Sequence, residues 1–193
     1  MRVFHPSASR RSRTACALAV ALVTLAGCGS STPPQHASIA SQRAALAGYL
    51  HAVEPIRLAV NRLLEGADPI LSAYSRAKLS PRVASRRMGT LERRFAGYTV
   101  AIAALEPAGA TLRSLQATYA HTYILEDSYL SALVVGLGEH DVEGLPDTQA
   151  EQRAAIIQWR TGLTLLAQRL HVALPGDLQA AGRGEIAPAP DGS

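Results

Sequence analysis

The densest group of side chains that could do chemistry lies in residues 119–129. This stretch holds three tyrosines, one histidine and two carboxylates over about three helical turns. Steps of three and four place Glu126 on the apolar side of such a helix, so the spacing predicts that this carboxylate is buried. Three neighbours share that side of the helix: Tyr119, Thr122 and Tyr129.

A buried carboxylate needs a partner, because burying it alone costs several kcal/mol. Arg57 falls on the apolar side of the first predicted helix and is therefore the expected partner. Arg160 is the second choice. Two interpretations stay open: a structural network that holds the helices in register, and a pocket for a ligand inside the helical body. Both use the same candidate residues, which are Arg57, Tyr119, His121, Thr122, Glu126, Tyr129 and Arg160.

The histidines do not have the spacing of a helical metal site. Di-iron bundles use Glu-x-x-His on paired helices, whereas His51-x-x-Glu54 runs in the opposite order. His121 and Glu126 are not an i, i+3 or i+4 pair, so one helix face does not present both. Gly182-Arg183-Gly184 lacks the strand–turn–helix context of a phosphate-binding loop. The sequence therefore predicts no metal ion, no cofactor and no enzymatic activity.

Charged residues are unevenly distributed along the chain. The basic group consists of Arg76, Lys78, Arg82, Arg86, Arg87, Arg93 and Arg94, opposed locally only by Glu92. The acidic group consists of Glu139, Asp141, Glu143, Asp147 and Glu151. Either the two groups pair within the folded domain, or the basic group contacts anionic lipid headgroups or wall polymers. At a membrane, each cation near the surface contributes about 1 kcal/mol.

Net charge argues against a nucleic-acid partner. The chain has 19 lysines and arginines and 15 acidic residues, and four of the 19 basic residues lie within residues 1–27. The remainder therefore carries 15 basic and 15 acidic residues. A neutral domain does not favour nucleic-acid binding, which needs a basic field to offset phosphate charge.

The N-terminal residues have the organisation of an export signal. Four arginines precede an uncharged run over residues 15–26, which is shorter than the roughly 20 residues of a membrane-spanning helix. The run ends in Leu25-Ala26-Gly27-Cys28, which resembles the lipobox of bacterial lipoproteins. That resemblance implies that a diacylglyceryl group is attached to Cys28 and that the chain is cleaved before it. General secretion is the expected route, because Ser9-Arg10-Arg11 lacks the Phe-Leu of a twin-arginine signal.

The chain is predicted to have four regions. These are a lipoprotein signal peptide over 1–27, a lipidated tether over 28–37, a helical domain over 38–175 and an extended tail over 176–193. The small, polar tether would hold the domain within roughly 30 Å of the membrane. The tail has repeated Gly, Pro and Ala and no apolar periodicity, so we expect it to contribute little to stability.

Apolar residues at steps of three and four predict four long helices, over 38–65, 81–105, 107–137 and 148–174, and one short helix over 69–78. Pro55 is expected to kink the first helix. Candidate N-terminal caps are Asp68 before Pro69, Ser80 before Pro81, and Thr148 with Glu151. Short connections between long helices predict an all-α fold, an antiparallel four-helix-type bundle with one additional short helix.

The helical body resembles the small Ala- and Leu-rich helical lipoproteins of actinobacterial envelopes, in composition and layout over residues 38–174. That resemblance implies a non-enzymatic binding or interaction module, anchored through Cys28 on the exported side of the cell membrane. Its partners would be the membrane itself and an envelope protein or small ligand. The alternative is a receptor that holds a small ligand or cofactor in the bundle core.

Overall fold

The computed structural model describes residues 38–179, apart from the side chain of Asp147. The predicted signal peptide, Cys28, the tether and residues 180–193 lie outside the described residues. The described chain contains helices and no strand, which confirms the predicted all-α class. Its helices are α1 (Ile39–Leu64), α2 (Ala67–Ser75), α3 (Pro81–Ala103), α4 (Ala110–Glu139), α5 (Ala150–Leu170) and α6 (Gly176–Gln179), with a 3₁₀ turn at Leu145–Gln149 before α5.

Neighbouring long helices run antiparallel and share one core. The Ser85 hydroxyl near the start of α3 donates a hydrogen bond to the Val134 carbonyl near the end of α4, at 2.7 Å. At the opposite end of the pair, the Gln116 side chain donates to the Ile102 carbonyl. The largest fully buried side chains are those of Trp159, Tyr119 and Phe95, from α5, α4 and α3. None of the described helices is long and apolar enough to cross a membrane.

Several helix starts follow local backbone chemistry that differs from the predicted caps. The Ser38 hydroxyl accepts a hydrogen bond from the Ser41 amide and caps α1, which continues through Pro55. In contrast, α2 begins at Ala67 and has Asp68 within its first turn, so Asp68 is not its N-cap residue. The Thr148 hydroxyl donates to the Leu145 carbonyl in the 3₁₀ turn, so the predicted capping box is wrong and α5 begins two residues later.

The ends of α4 and α5 are set by residues in the left-handed conformation. Gly109 has a φ of +92°, and α4 begins after it at Ala110 rather than at Pro107. His140 and His171 have positive φ angles and act as the C-caps of α4 and α5. A residue with a positive φ ends helical repetition, which the apolar spacing alone cannot reveal.

The predicted boundary of the extended tail is wrong for residues 176–179. These residues form α6, in which the Leu178 side chain is 4% exposed and belongs to the hydrophobic core. The neighbouring Asp177 forms an ion pair with Arg57 of α1. One apolar residue in a single helical turn has no periodicity, so composition alone does not reveal this packing.

Candidate functional site

Glu126 lies inside the bundle, as the spacing along α4 predicts. Its side chain is 2% exposed, and Tyr119 and Thr122 on the same side of the helix are also buried. The Gln152 side-chain amide of α5 donates a hydrogen bond of 2.5 Å to Glu126 Oε2. Gln149 provides a second side-chain hydrogen bond. The carboxylate is therefore held by neutral amides at the α4–α5 contact.

The predicted ion pair between Glu126 and Arg57 or Arg160 is wrong, because both arginines contact Asp177 instead. Without a cation beside it, Glu126 responds mainly to its desolvation. Burial raises the pKa of the Glu126 carboxyl, and the hydrogen bonds from Gln152 and Gln149 only partly oppose that effect. Glu126 thus has a stronger tendency to take up a proton than an exposed glutamate.

Arg57 is a nearly buried cation whose counter-charge comes from the far end of the chain. It is 6% exposed, and its Nη1 forms an ion pair with Asp177 Oδ2 of α6. Its Nε and Nη2 atoms have no hydrogen-bond partner among the described residues. A guanidinium has five N–H donors, so most of the hydrogen-bonding capacity of Arg57 is unused.

Four aromatic side chains connect α1, α4 and α5. Tyr119 stacks on Trp159, with ring centroids 3.9 Å apart, and meets Tyr123 edge-on. The Trp159 indole N–H donates to the Tyr49 hydroxyl at 3.0 Å, and the Tyr119 and Tyr123 hydroxyls are 3.3 Å apart. Burial raises the pKa of Tyr123 to about 12 and that of Tyr119 well above 10, so both hydroxyls stay neutral.

The other predicted site residues do not join this interior cluster. His121 is exposed, and its Nε2 lies 3.3 Å from Glu151 Oε1 on the surface. The Thr122 hydroxyl donates to the Tyr119 carbonyl of its own helix at 2.7 Å. Tyr129 is half-buried, and burial, followed by the nearby Glu126 charge, raises its pKa. The stretch therefore divides among two helix faces and does not form one convergent site.

Sequence reasoning missed three members of the interior network. Gln152 lies one turn before Ile156 on the main apolar side of α5. Continuing the apolar spacing of α5 by one turn towards its N-terminus would therefore have included Gln152. Tyr49 lies between Leu46 and Val53 at helical spacing. Asp177 carried no such signal, because it belongs to a helix of a single turn.

A second polar feature is a groove between α1 and α3, which we call the arginine groove. It has a volume of about 380 Å³. Its polar lining comes from Arg62 of α1 and from Arg87, Thr90, Arg94 and Tyr98 of α3. Its apolar lining includes Leu63, Ile70 and Leu91, from α1, α2 and α3.

Residues of the basic group do not form ion pairs within the described part of the chain. Arg57–Asp177 and His121–Glu151 are ion pairs between described side chains, and neither involves the basic group. No ion pair among the described side chains therefore joins the basic group to the acidic group. The five arginines of α3 in this group, Arg82, Arg86, Arg87, Arg93 and Arg94, are all exposed.

Metal-ligating side chains are scattered over the described helices. Across residues 38–179, no three His, Cys, Asp or Glu side chains lie close enough together to hold a metal ion. A comparison with protein-family models, curated proteins and solved structures finds no match for the chain. The function must therefore be inferred from the geometry of the interior network and the arginine groove.

Proposed function

We propose that the protein is a lipid-anchored, non-enzymatic binding module of the bacterial envelope, and that its basic α3 surface contacts an anionic membrane. The single observation that carries this proposal is the row of five exposed arginines on α3 without an ion-pair partner in residues 38–179. Each cation near an anionic lipid surface contributes about 1 kcal/mol, so five together would supply useful affinity.

The interior network supports a structural role for the bundle core. Glu126 is bonded to Gln152, and Trp159 is bonded to Tyr49. Side chains that bond each other in this way hold helices in register. These core side chains already bond each other, whereas the α3 arginines form no ion pair with another described residue.

The lipid anchor supports a membrane as the partner. If Cys28 is acylated, the nine residues 29–37 that follow it reach roughly 30 Å at most, because an extended chain spans no more than about 3.5 Å per residue. A short tether keeps the local concentration of lipid headgroups high, so that weak electrostatic contacts are occupied. The lipid would already hold the domain at the membrane. Contact between α3 and the membrane surface would then orient the domain.

A vesicle-binding experiment tests this proposal. The chain from residue 28 onward, with Cys28→Ser so that no lipid is attached, is mixed with vesicles of phosphatidylcholine alone or of phosphatidylcholine with phosphatidylglycerol. We expect co-sedimentation with the anionic vesicles only, weakened when the salt concentration rises above about 0.15 M. Equal binding to both vesicle types, or none to either, would contradict the proposal.

Matched variants locate the contact on α3. Replacing Arg82, Arg86, Arg87, Arg93 and Arg94 with glutamine should abolish binding to the anionic vesicles. The control replaces three exposed arginines of α4 and α5 with glutamine: Arg113, Arg153 and Arg169. We expect this control to keep most of the binding, because these arginines lie outside the α3 row.

A second candidate function is that of a receptor for a small carboxylate in the bundle core. It is favoured by the two buried nitrogen atoms of Arg57 that have no partner among the described residues. Native mass spectrometry of the purified protein tests it. A retained small molecule that is lost from the Arg57→Met variant would favour the receptor, and its absence from the wild type would contradict that role.

A further inference from the structure

We propose that the arginine groove is a binding site for the phosphate group of an anionic phospholipid, with Arg62, Arg87 and Arg94 as its phosphate ligands. This inference rests on the proposed function and makes it more specific. A membrane-binding surface needs only charge, whereas a headgroup site needs convergent donors around a space of suitable size. The arginine groove has three arginines in its lining and a volume of about 380 Å³.

Helical register brings the three arginines to the same groove. Arg87 and Arg94 are seven residues apart on α3, so they lie on one face and about 10 Å apart along the helix axis. Arg62 lies in the last turn of α1 and lines the groove from the opposite wall. The Thr90 hydroxyl between them donates to the Arg86 carbonyl, so the two arginines and the Tyr98 hydroxyl are the remaining polar donors of this wall.

The charge of the groove favours an anion. Three arginines line a space of about 380 Å³, and none of them forms an ion pair with another described residue. Like charges around one cavity repel each other, and a bound anion removes that repulsion. The planar guanidinium donates two parallel hydrogen bonds to phosphate oxygens, which matches the non-ester oxygens of a phosphodiester.

The floor of the groove favours a lipid over a free phosphate ion. Leu63 and Leu91 of its lining are buried, and Ile70 of α2 is half-buried. A free phosphate ion gains nothing from apolar surface, whereas the glycerol and first acyl carbons of a phospholipid do. Tyr98 adds an amphipathic side chain to the lining, and such side chains favour the interface between lipid and water.

Two matched pairs of arginines on α3 separate a headgroup site from diffuse attraction. Arg87 and Arg94 line the groove, whereas Arg86 and Arg93 do not. Both pairs have the same spacing on the same helix, and all four side chains are exposed. The variants Arg87→Gln/Arg94→Gln and Arg86→Gln/Arg93→Gln therefore remove equal charge from neighbouring positions. Exposed substitutions of this kind change stability little, and circular dichroism checks that both variants are folded.

The probe is dihexanoyl phosphatidylglycerol at concentrations where it is monomeric, so that no membrane surface is present. Binding is measured by calorimetry at about 0.15 M salt. We expect Arg87→Gln/Arg94→Gln to weaken binding about tenfold or more, because the variant loses charge-assisted hydrogen bonds to the phosphate. The variant Arg86→Gln/Arg93→Gln should change binding less than about twofold, since exposed charges outside the groove are screened. Arg62→Gln should weaken binding as well, although it lies on a different helix.

The outcomes distinguish this inference from the proposed function. If the wild type binds anionic vesicles but not the monomeric lipid, or if both double variants lose affinity equally, the headgroup site is wrong and the charged surface stands. If inorganic phosphate binds as tightly as the lipid and with the same dependence on Arg87 and Arg94, the lipid assignment is wrong. If the wild type does not bind anionic vesicles, the proposed function itself fails.

Discussion

Arg57 of α1 and Asp177 of α6 form an ion pair although 120 residues separate them in the chain. The side chain of Arg57 is 7% exposed, whereas that of Asp177 is 50% exposed. A nearly buried cation is thus neutralised from the edge of the bundle by the last described helix. This contact gives the C-terminal residues a structural role.

Asp177→Ala should destabilise the protein by about 2 kcal/mol, because it leaves the buried Arg57 without its counter-charge. The loss should be smaller than the 3–5 kcal/mol typical of a fully buried pair, since water can approach the half-exposed carboxylate. Combining Asp177→Ala with Arg57→Met should recover part of the loss. Urea denaturation measures both effects, with Glu143→Ala at an exposed residue as the control. Unchanged stability of Asp177→Ala would mean that the ion pair contributes nothing.

A chain that ends at Pro175 should be less stable than one that ends at Gln179. The shorter chain lacks both the Asp177 ion pair and the burial of Leu178, and burying a leucine contributes about 2 kcal/mol. We therefore expect the truncation to cost about 2 kcal/mol more than Asp177→Ala alone. Equal denaturation midpoints for the two chain lengths would show that α6 does not stabilise the bundle.

The stability contribution of Glu126 should fall as the pH rises. Burial raises its pKa above the ordinary value of 4.5, so the folded protein binds this proton more tightly than the unfolded chain does. The contribution of Glu126 to the free energy of unfolding is fully present below about pH 4.5. It is lost as the pH rises through the pKa that Glu126 has in the folded protein. Glu126→Gln does not titrate, so the free energy of unfolding of the wild type should fall relative to this variant between about pH 4 and pH 8.

Glu106→Gln, at an exposed glutamate, is the control for that titration. This variant measures how much the loss of one surface carboxylate changes the free energy of unfolding across the same pH series. A difference between the wild type and Glu126→Gln that does not depend on pH would show that Glu126 has no raised pKa in the folded state.

Two glycines should respond in opposite directions to alanine. A Cβ atom at Gly136 would lie 2.3 Å from the Asp141 carbonyl oxygen, and backbone cannot move as easily as a side chain. Gly136→Ala should therefore destabilise the protein by about 1–3 kcal/mol. At Gly97, in the middle of α3, nothing lies within 4 Å of the added atom, so Gly97→Ala should stabilise it by about 0.5–1 kcal/mol. Thermal denaturation of both variants checks the two signs.

Cys28→Ala should prevent lipid attachment and leave the protein either uncleaved or released into the medium. The basis is the sequence Leu25-Ala26-Gly27-Cys28 after a charged segment and a short apolar run. Labelling with radioactive fatty acid and cell fractionation measure lipidation and location. Normal maturation and membrane retention of this variant would show that Cys28 is not the anchor.

The amino-acid sequence by itself determined the helices and their buried sides. A spacing of three and four residues is a property of a single helix, so the burial of Glu126 and Trp159 could be predicted without any neighbouring element. Helix ends were predicted less well. His140 and His171 end their helices because their backbone φ angles are positive. The spacing of apolar side chains does not reveal these angles.

Only the tertiary structure decided which side chains meet. Glu126 accepts from Gln152 rather than from Arg57, and Arg57 pairs with Asp177 of α6. Arg62 shares a groove with α3 arginines that are distant from it in the chain. Partner choice depends on the axial offset and rotation of one helix against another, and the period of a single helix contains neither quantity. The partners of a buried charge are therefore a property of helix packing.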